Sequence, residues 1–221
     1  MQTKSKDRVR DHGEVFTHER EVNAMLDLVH HETQRIDSRF LEPACGTGNF
    51  LVPVLERKIA LVKKKYGRSQ VEFERQALMA VGSVYGIDLL PDNVKECRER
   101  LFLLFDTTYT TLYKRKCKDT LRDSIRFVLK KNIVVGNALT LKTEGKTQRP
   151  ITFSSWSLPF NDSRVKRHDY SFEELIPKEA KDLSMFDVSE VSDLGTPSFL
   201  PRSLRQYPAV HILRLAYENT N

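Results

Sequence analysis

Residues 39–52, Arg-Phe-Leu-Glu-Pro-Ala-Cys-Gly-Thr-Gly-Asn-Phe-Leu-Val, constrain the fold more than any other stretch of this 221-residue chain. A short apolar strand at Phe40 and Leu41 meets an acid, Glu42, and then a tight Gly46-Thr47-Gly48 turn. An amphipathic helix starts at once, near Asn49. Glycines at 46 and 48 permit the sharp turn and leave room for a ligand. The helix start aims free backbone N–H groups at any carboxylate or other anion placed there. Such a strand–turn–helix unit predicts a nucleotide-type cofactor loop in an α/β protein.

The dinucleotide fingerprint G-x-G-x-x-G fits poorly, because position 51 is Leu. Its acidic ribose ligand belongs about 20 residues on, whereas the next strand ending in an acid, Val84-Tyr85-Gly86-Ile87-Asp88, lies about twice as far along. No phosphate-binding G-x-x-x-x-G-K-[ST] occurs. An acid before the turn and another closing the second strand suit a ligand with a cationic amino acid end and a ribose, as in S-adenosylmethionine.

Hydrophobic spacing predicts helices from about Glu19 to Glu32, from Leu51 to about Tyr66, from Val71 to Ala80, from Pro91 onward through Leu104, and one ending in Val128 and Leu129. A third strand, Ile133 to Val135, comes next. This alternation predicts a mostly parallel sheet with helices on both faces and a ligand at the carboxyl ends of the strands. The character changes after Leu141, so residues 1–141 form the expected core and 142–221 a less regular remainder. Within the remainder, Ile151-Thr152-Phe153 suits a fourth strand, and Tyr207 to Tyr217 suits either a terminal strand or a short helix.

The 36 Lys and Arg against 30 acids, a net +6, favour contact with a polyanion. The local basic clusters are Lys63-Lys64-Lys65, Lys114-Arg115-Lys116, Lys130-Lys131 and Arg164 with Lys166 and Arg167. The last follows Ser157-Leu158-Pro159-Phe160 and is the cluster expected to touch phosphate, with Tyr170 and Phe172 nearby to stack on bases. The first three read equally well as solvated helix ends. Cys45, Cys97 and Cys117 are too scattered for a zinc site or a disulfide framework. With no signal peptide and no apolar run of membrane-spanning length, a cytoplasmic location is expected.

Glu42-Pro43-Ala44-Cys45-Gly46-Thr47-Gly48-Asn49-Phe50 resembles the first motif of the adenine-N6 DNA methyltransferases of restriction–modification systems. Three further stretches match that family in order. Gly13-Glu14-Val15-Phe16-Thr17 resembles the N-terminal motif whose Thr meets the methionine carboxylate. Tyr85-Gly86-Ile87-Asp88 resembles the second motif, which puts Asp88 on the ribose hydroxyls, with Leu89 beside it. Val135-Gly136-Asn137-Ala138-Leu139 resembles the third, where an Asp or Asn contacts the cofactor adenine. The chain departs from the family in reading Thr17-His18 for Thr-Pro and Asn137 for the commoner Asp.

The resemblance implies a Rossmann-like, S-adenosylmethionine-dependent methyltransferase fold. It implies double-stranded DNA as partner and direct in-line methyl transfer to a flipped adenine, with no metal. It also implies a fourth, catalytic motif of the form Asn/Asp/Ser-Pro-Pro-Tyr/Phe, which this chain lacks. The nearest stretch is Ser157-Leu158-Pro159-Phe160. A side-chain oxygen and a backbone carbonyl must hold the N6 hydrogens so that the lone pair faces the methyl group. Ser157 Oγ, the Leu158 carbonyl and the Phe160 ring are the candidates, although Leu158 lacks the φ constraint of proline. The segment beyond Phe160 is short for the last strands of such a sheet and for reading DNA. The alternative expectation is therefore a catalytically incomplete cofactor-binding subunit or remnant, either completed by a second subunit that supplies target recognition or the missing catalytic half, or acting as a binding module.

Overall fold

The computed structural model describes residues 18–145, 147–175 and 203–218; Phe16 and Thr17 lie outside them. Three strands, β1 (Phe40–Glu42), β2 (Val84–Asp88) and β3 (Ile133–Val135), form a parallel sheet in the order β1-β2-β3. Phe40 stands opposite Val84, and Gly86 opposite Ile133. The fold is therefore mixed α/β around a three-stranded parallel sheet.

Each crossover is a helical hairpin. Between β1 and β2 run α3 (Leu51–Tyr66) and α4 (Gln70–Gly82); between β2 and β3 run α5 (Pro91–Tyr113), a 3-10 turn (Lys114–Lys116) and α6 (Asp119–Asn132). Ser69 caps α4 by accepting from Glu72 N–H, and Pro91 opens α5 at the first-turn position that tolerates a missing donor. The predicted first helix divides at Val29 into α1 (Glu19–Leu28) and α2 (His30–Thr33). Lys58 is fully buried and donates to the carbonyls of Arg35, Ile36 and Ser38, so one side chain of α3 ties down the segment leading into β1.

Alternation along β2 separates the two faces of the sheet. Val84 joins the cluster built from Leu55, Ile59, Leu78, Leu101, Ile125 and their neighbours on the helices. Tyr85 and Ile87 pack instead on Ile151, Phe153 and Phe172. That second face is covered by an antiparallel sheet of β4 (Thr152–Ser157), β5 (Arg164–Ser171), β6 (Arg205–Gln206) and β7 (Val210–His211), with α7 (Phe172–Leu175) and α8 (Leu215–Glu218) beside it.

The expected fourth strand is present as β4, but it pairs antiparallel in a second sheet that covers one face, where a mostly parallel sheet with helices on both faces was expected. A parallel neighbour needs a crossover of a dozen or more residues, usually a helix. The segment after β3 has no helical periodicity and folds back on itself, with Thr143 N–H on the Arg149 carbonyl and Ile151 N–H on the Leu141 carbonyl. The chain then crosses the sheet in the reverse sense: Ile151 lies by Gly136, Phe153 by Tyr85, and Trp156 by Gly82. Among the described residues β1 pairs only with β2, and its outer edge, with Leu41 half exposed, is open. No helix among the described residues is long and apolar enough to cross a membrane.

Candidate functional site

The ends of β1, β2 and β3 converge on the glycine turn. Cys45 N–H continues the ladder onto the Ile87 carbonyl at 2.8 Å, and Gly136 N–H bonds the Asp88 carbonyl at 2.9 Å. Gly46 and Gly48 have φ of 51° and 89°, the left-handed region that glycine alone enters freely. The Asp88 carboxylate holds this arrangement together: Oδ2 accepts from Gly46 N–H at 2.9 Å, while Oδ1 accepts from Leu90 N–H and the Asn93 side-chain amide. Asp88 thus links the glycine turn to the start of α5 across 42 residues of sequence.

Arg100, on α5, grips the turn from the other side, donating to the Thr47 carbonyl at 2.8 Å and to Asn49 Oδ1 at 2.7 Å. Sequence reasoning missed this residue. Its only signal is its helical spacing, two turns after Asn93, on a helix already predicted. Beneath the turn the Cys45 and Cys97 thiols are neighbours and buried, and the interaction with Cys97, together with burial, pushes the Cys45 thiol far up. Cys45 is thus a packing residue and a poor nucleophile.

Glu42 is half-buried; desolvation raises its pKa, opposed by one hydrogen bond from Ala44 N–H. No cation pairs with Glu42 or Asp88 among the described residues. The backbone N–H groups of Asn49, Phe50 and Leu51, at the start of α3, have no acceptor among those residues. Pro43 and Ala44 are exposed at the rim, and Leu89 and Ala138 present partly exposed apolar surface from the ends of β2 and β3. Asn137 Oδ1 accepts from Leu139 and Thr140 N–H, which fixes its loop. The unpaired carboxylate, the free helix-start donors and this apolar rim suit a ligand carrying a cation, an anion and a flat apolar portion.

The structure does not bring Ser157–Phe160 to this site. β4 runs away from the glycine turn, and the tetrapeptide emerges at the amino end of the parallel strands. There Leu158 lines a surface cavity of about 410 Å³ with Arg35, Ile36, Lys65 and Met79, and the Phe160 carbonyl accepts from Arg75. Arg164 is exposed, stacks on Phe160 at 4.2 Å and pairs with Asp162 at 2.8 Å. Lys166 is half-buried.

Arg167 is 2% exposed and donates twice to Asp169, at 2.8 and 2.6 Å, inside a network with Ser154 and Tyr207. It belongs to an internal ion pair, out of the reach of phosphate. Phe172 is likewise a buried anchor, which removes it from base stacking.

No family model, curated protein or solved structure matches the chain.

Proposed function

We propose that the cleft between the glycine turn and the ends of β2 and β3 binds S-adenosylmethionine, in a Rossmann-like methyltransferase unit that serves transfer to adenine N6 in double-stranded DNA. The observation that carries the reading is the shared carboxylate of Asp88, which joins the glycine turn, through Gly46 N–H, to the start of α5, through Leu90 N–H, at the carboxyl ends of the parallel strands. In this reading Glu42 offsets the ligand's ammonium, the N–H groups at the start of α3 meet its carboxylate, Asp88 accepts from the ribose hydroxyls, and Leu89, Asn137 and Ala138 flank its adenine. Bound there, S-adenosylmethionine supplies an electrophilic methyl group; the chain's own contribution is to orient it and exclude water from one side.

A second feature favours the reading in which this unit works with a partner. Ser157–Phe160 lies at the opposite end of the sheet, and the edge of β1 beside the cofactor turn is open. The acceptor-binding residues then come from outside the described part of the chain.

The test is equilibrium dialysis with methyl-labelled S-adenosylmethionine, then incubation with genomic DNA free of adenine methylation. Saturable one-site binding competed by S-adenosylhomocysteine is expected, and Phe160→Ala should leave it intact. Absence of binding overturns the cofactor assignment. Label recovered in N6-methyladenine from this chain alone supports the enzyme and overturns the need for a partner.

A further inference from the structure

The parallel strands are short, whereas α3 has 16 residues and α5 has 23, which span about 24 and 34 Å at 1.5 Å per residue. Both helices overshoot the amino end of the sheet, and α4 and α6 return from it. The two helical hairpins pack side by side on an aromatic seam in which Phe73 and Tyr109 are stacked and Tyr113 meets both edge-on. Their turns are fastened at the tip. Tyr113 Oη donates to the Gly67 carbonyl at 3.0 Å, and the Gln70 side-chain amide donates to the Lys116 carbonyl at 2.8 Å.

One turn carries Lys63, Lys64, Lys65 and Arg68; the other carries Lys114, Arg115 and Lys116. All seven are exposed. None forms an ion pair among the described residues, and the carboxylates close by are engaged elsewhere: Glu72 with Arg75, Glu74 with Lys118, Asp119 with Arg122. These seven are about a fifth of the chain's 36 Lys and Arg, gathered on two adjoining turns. Charge–dipole stabilisation of helix ends accounts for one or two cations in a last turn. It does not account for three consecutive lysines closing α3 or for a second triplet lying beyond the end of α5.

We propose that this tip is a binding surface for the phosphodiester backbone of duplex nucleic acid, separate from the candidate cofactor cleft and independent of that assignment. The cations stand on two turns held in fixed register by the Tyr113 and Gln70 bonds, so several phosphates are met at once with little further ordering of the protein. A lipid surface is disfavoured because neither turn exposes an aromatic or long aliphatic side chain to insert. Contact through long cations on two convex turns is to phosphate first, so binding is sequence-tolerant and governed by salt.

The test is fluorescence anisotropy with labelled duplexes of unrelated sequence, across a salt series. For the full chain, log affinity should fall against log salt with a slope of about −4 or steeper, as four or more neutralised phosphates require. Two triple variants, K63A/K64A/K65A and K114A/R115A/K116A, should each bind at least tenfold more weakly at moderate salt and flatten the slope by about 2 to 3. Both should keep the parent's circular dichroism and Tm, since the replaced side chains are solvated. A variant of equal charge loss with scattered positions, R20A/K95A/K130A, should change affinity less than threefold. Equal weakening by the scattered variant, an unchanged slope in both tip variants, or binding to phosphatidylserine vesicles without binding to duplex would each overturn the proposal.

Discussion

Asp88→Asn is the substitution on which the site makes its sharpest demand. The change is nearly isosteric, so packing is preserved and only the hydrogen-bond inventory alters. In the parent, one carboxylate oxygen accepts from Gly46 N–H and the other from Leu90 N–H and Asn93. An amide can place its oxygen on one side only. Its NH2 then confronts either Gly46 N–H or the Leu90 and Asn93 donors, and a flip merely exchanges the losses. The less costly orientation forfeits one charge-assisted bond and sets donor against donor at the turn, about 2 kcal/mol.

For a chain of this length that predicts a fall in Tm of about 4–8 °C. In urea it predicts a lower midpoint with an unchanged m-value, because the same surface is exposed on unfolding. If Asp88 also accepts from ribose hydroxyls, losing one charge-assisted bond weakens S-adenosylmethionine about tenfold in isothermal titration calorimetry. Stability within about 0.5 kcal/mol of the parent together with unchanged affinity would refute both the bracing role and the cofactor assignment. Lost stability with unchanged affinity would refute the second alone.

Glu42→Gln should separate the two carboxylates. Burial raises the Glu42 pKa above its unfolded value, so stability linked to its proton is complete below the ordinary carboxylate range and is lost as pH rises through the raised folded value. The Gln variant should therefore melt above the parent at pH 7–8, with the difference gone near pH 4, while binding S-adenosylmethionine more weakly; differential scanning fluorimetry at the two pH values checks the sign. Gly48→Ala places a Cβ 2.8 Å from Cys97 Sγ at a φ of 89° and should cost about 2–4 kcal/mol, of which Cys97→Ala recovers only the steric part; urea unfolding of the single and double variants measures both. Tyr109→Phe removes the donor to Glu74 at 2.6 Å and the acceptor for Lys118 N–H and Gln70, inside the seam joining the helical hairpins. A loss of about 1–3 kcal/mol is expected in urea unfolding, and a neutral result would show that solvent replaces the hydroxyl.

The first half of the molecule was legible in sequence because its signals are local. Glycines before a helix, an acid at the end of an apolar strand, and apolar residues at helical spacing each specify geometry within a few residues. They located β1, β2, β3 and the long helices closely. The second half was not legible, for a physical reason visible in β5. Its inward positions are Val165, Arg167, Asp169 and Ser171, so the strand buries an ion pair where alternation normally buries hydrocarbon. Arg-Val-Lys-Arg then reads as a solvated basic loop, and Arg167 as a phosphate ligand. Pairing with Asp169 and cover from Tyr207 are long-range facts that composition does not carry. The Tyr207–Tyr217 stretch contains both a two-residue strand, Val210–His211, and the short helix Leu215–Glu218, so neither single expectation described it. The Ser157–Phe160 assignment depended on spacing from β3, and spacing cannot tell a strand added beside β1 from one folded back across the sheet.

The helical hairpins also bear on how this chain reaches its native state. Parallel strands cannot pair until the chain between them has brought their ends together, and a loop of that length carries a substantial closure entropy. Here the intervening chain is two antiparallel helices joined by a tight turn, whose contacts are local and form early. Once α3 has docked on α4, the start of β2 is delivered close to β1; once α5 has docked on α6, the same holds for β3 and β2. The sheet is thus assembled last, from ends already gathered, and a substitution in the contact between α3 and α4 should slow refolding in stopped-flow measurements more than one in β1 of equal thermodynamic cost.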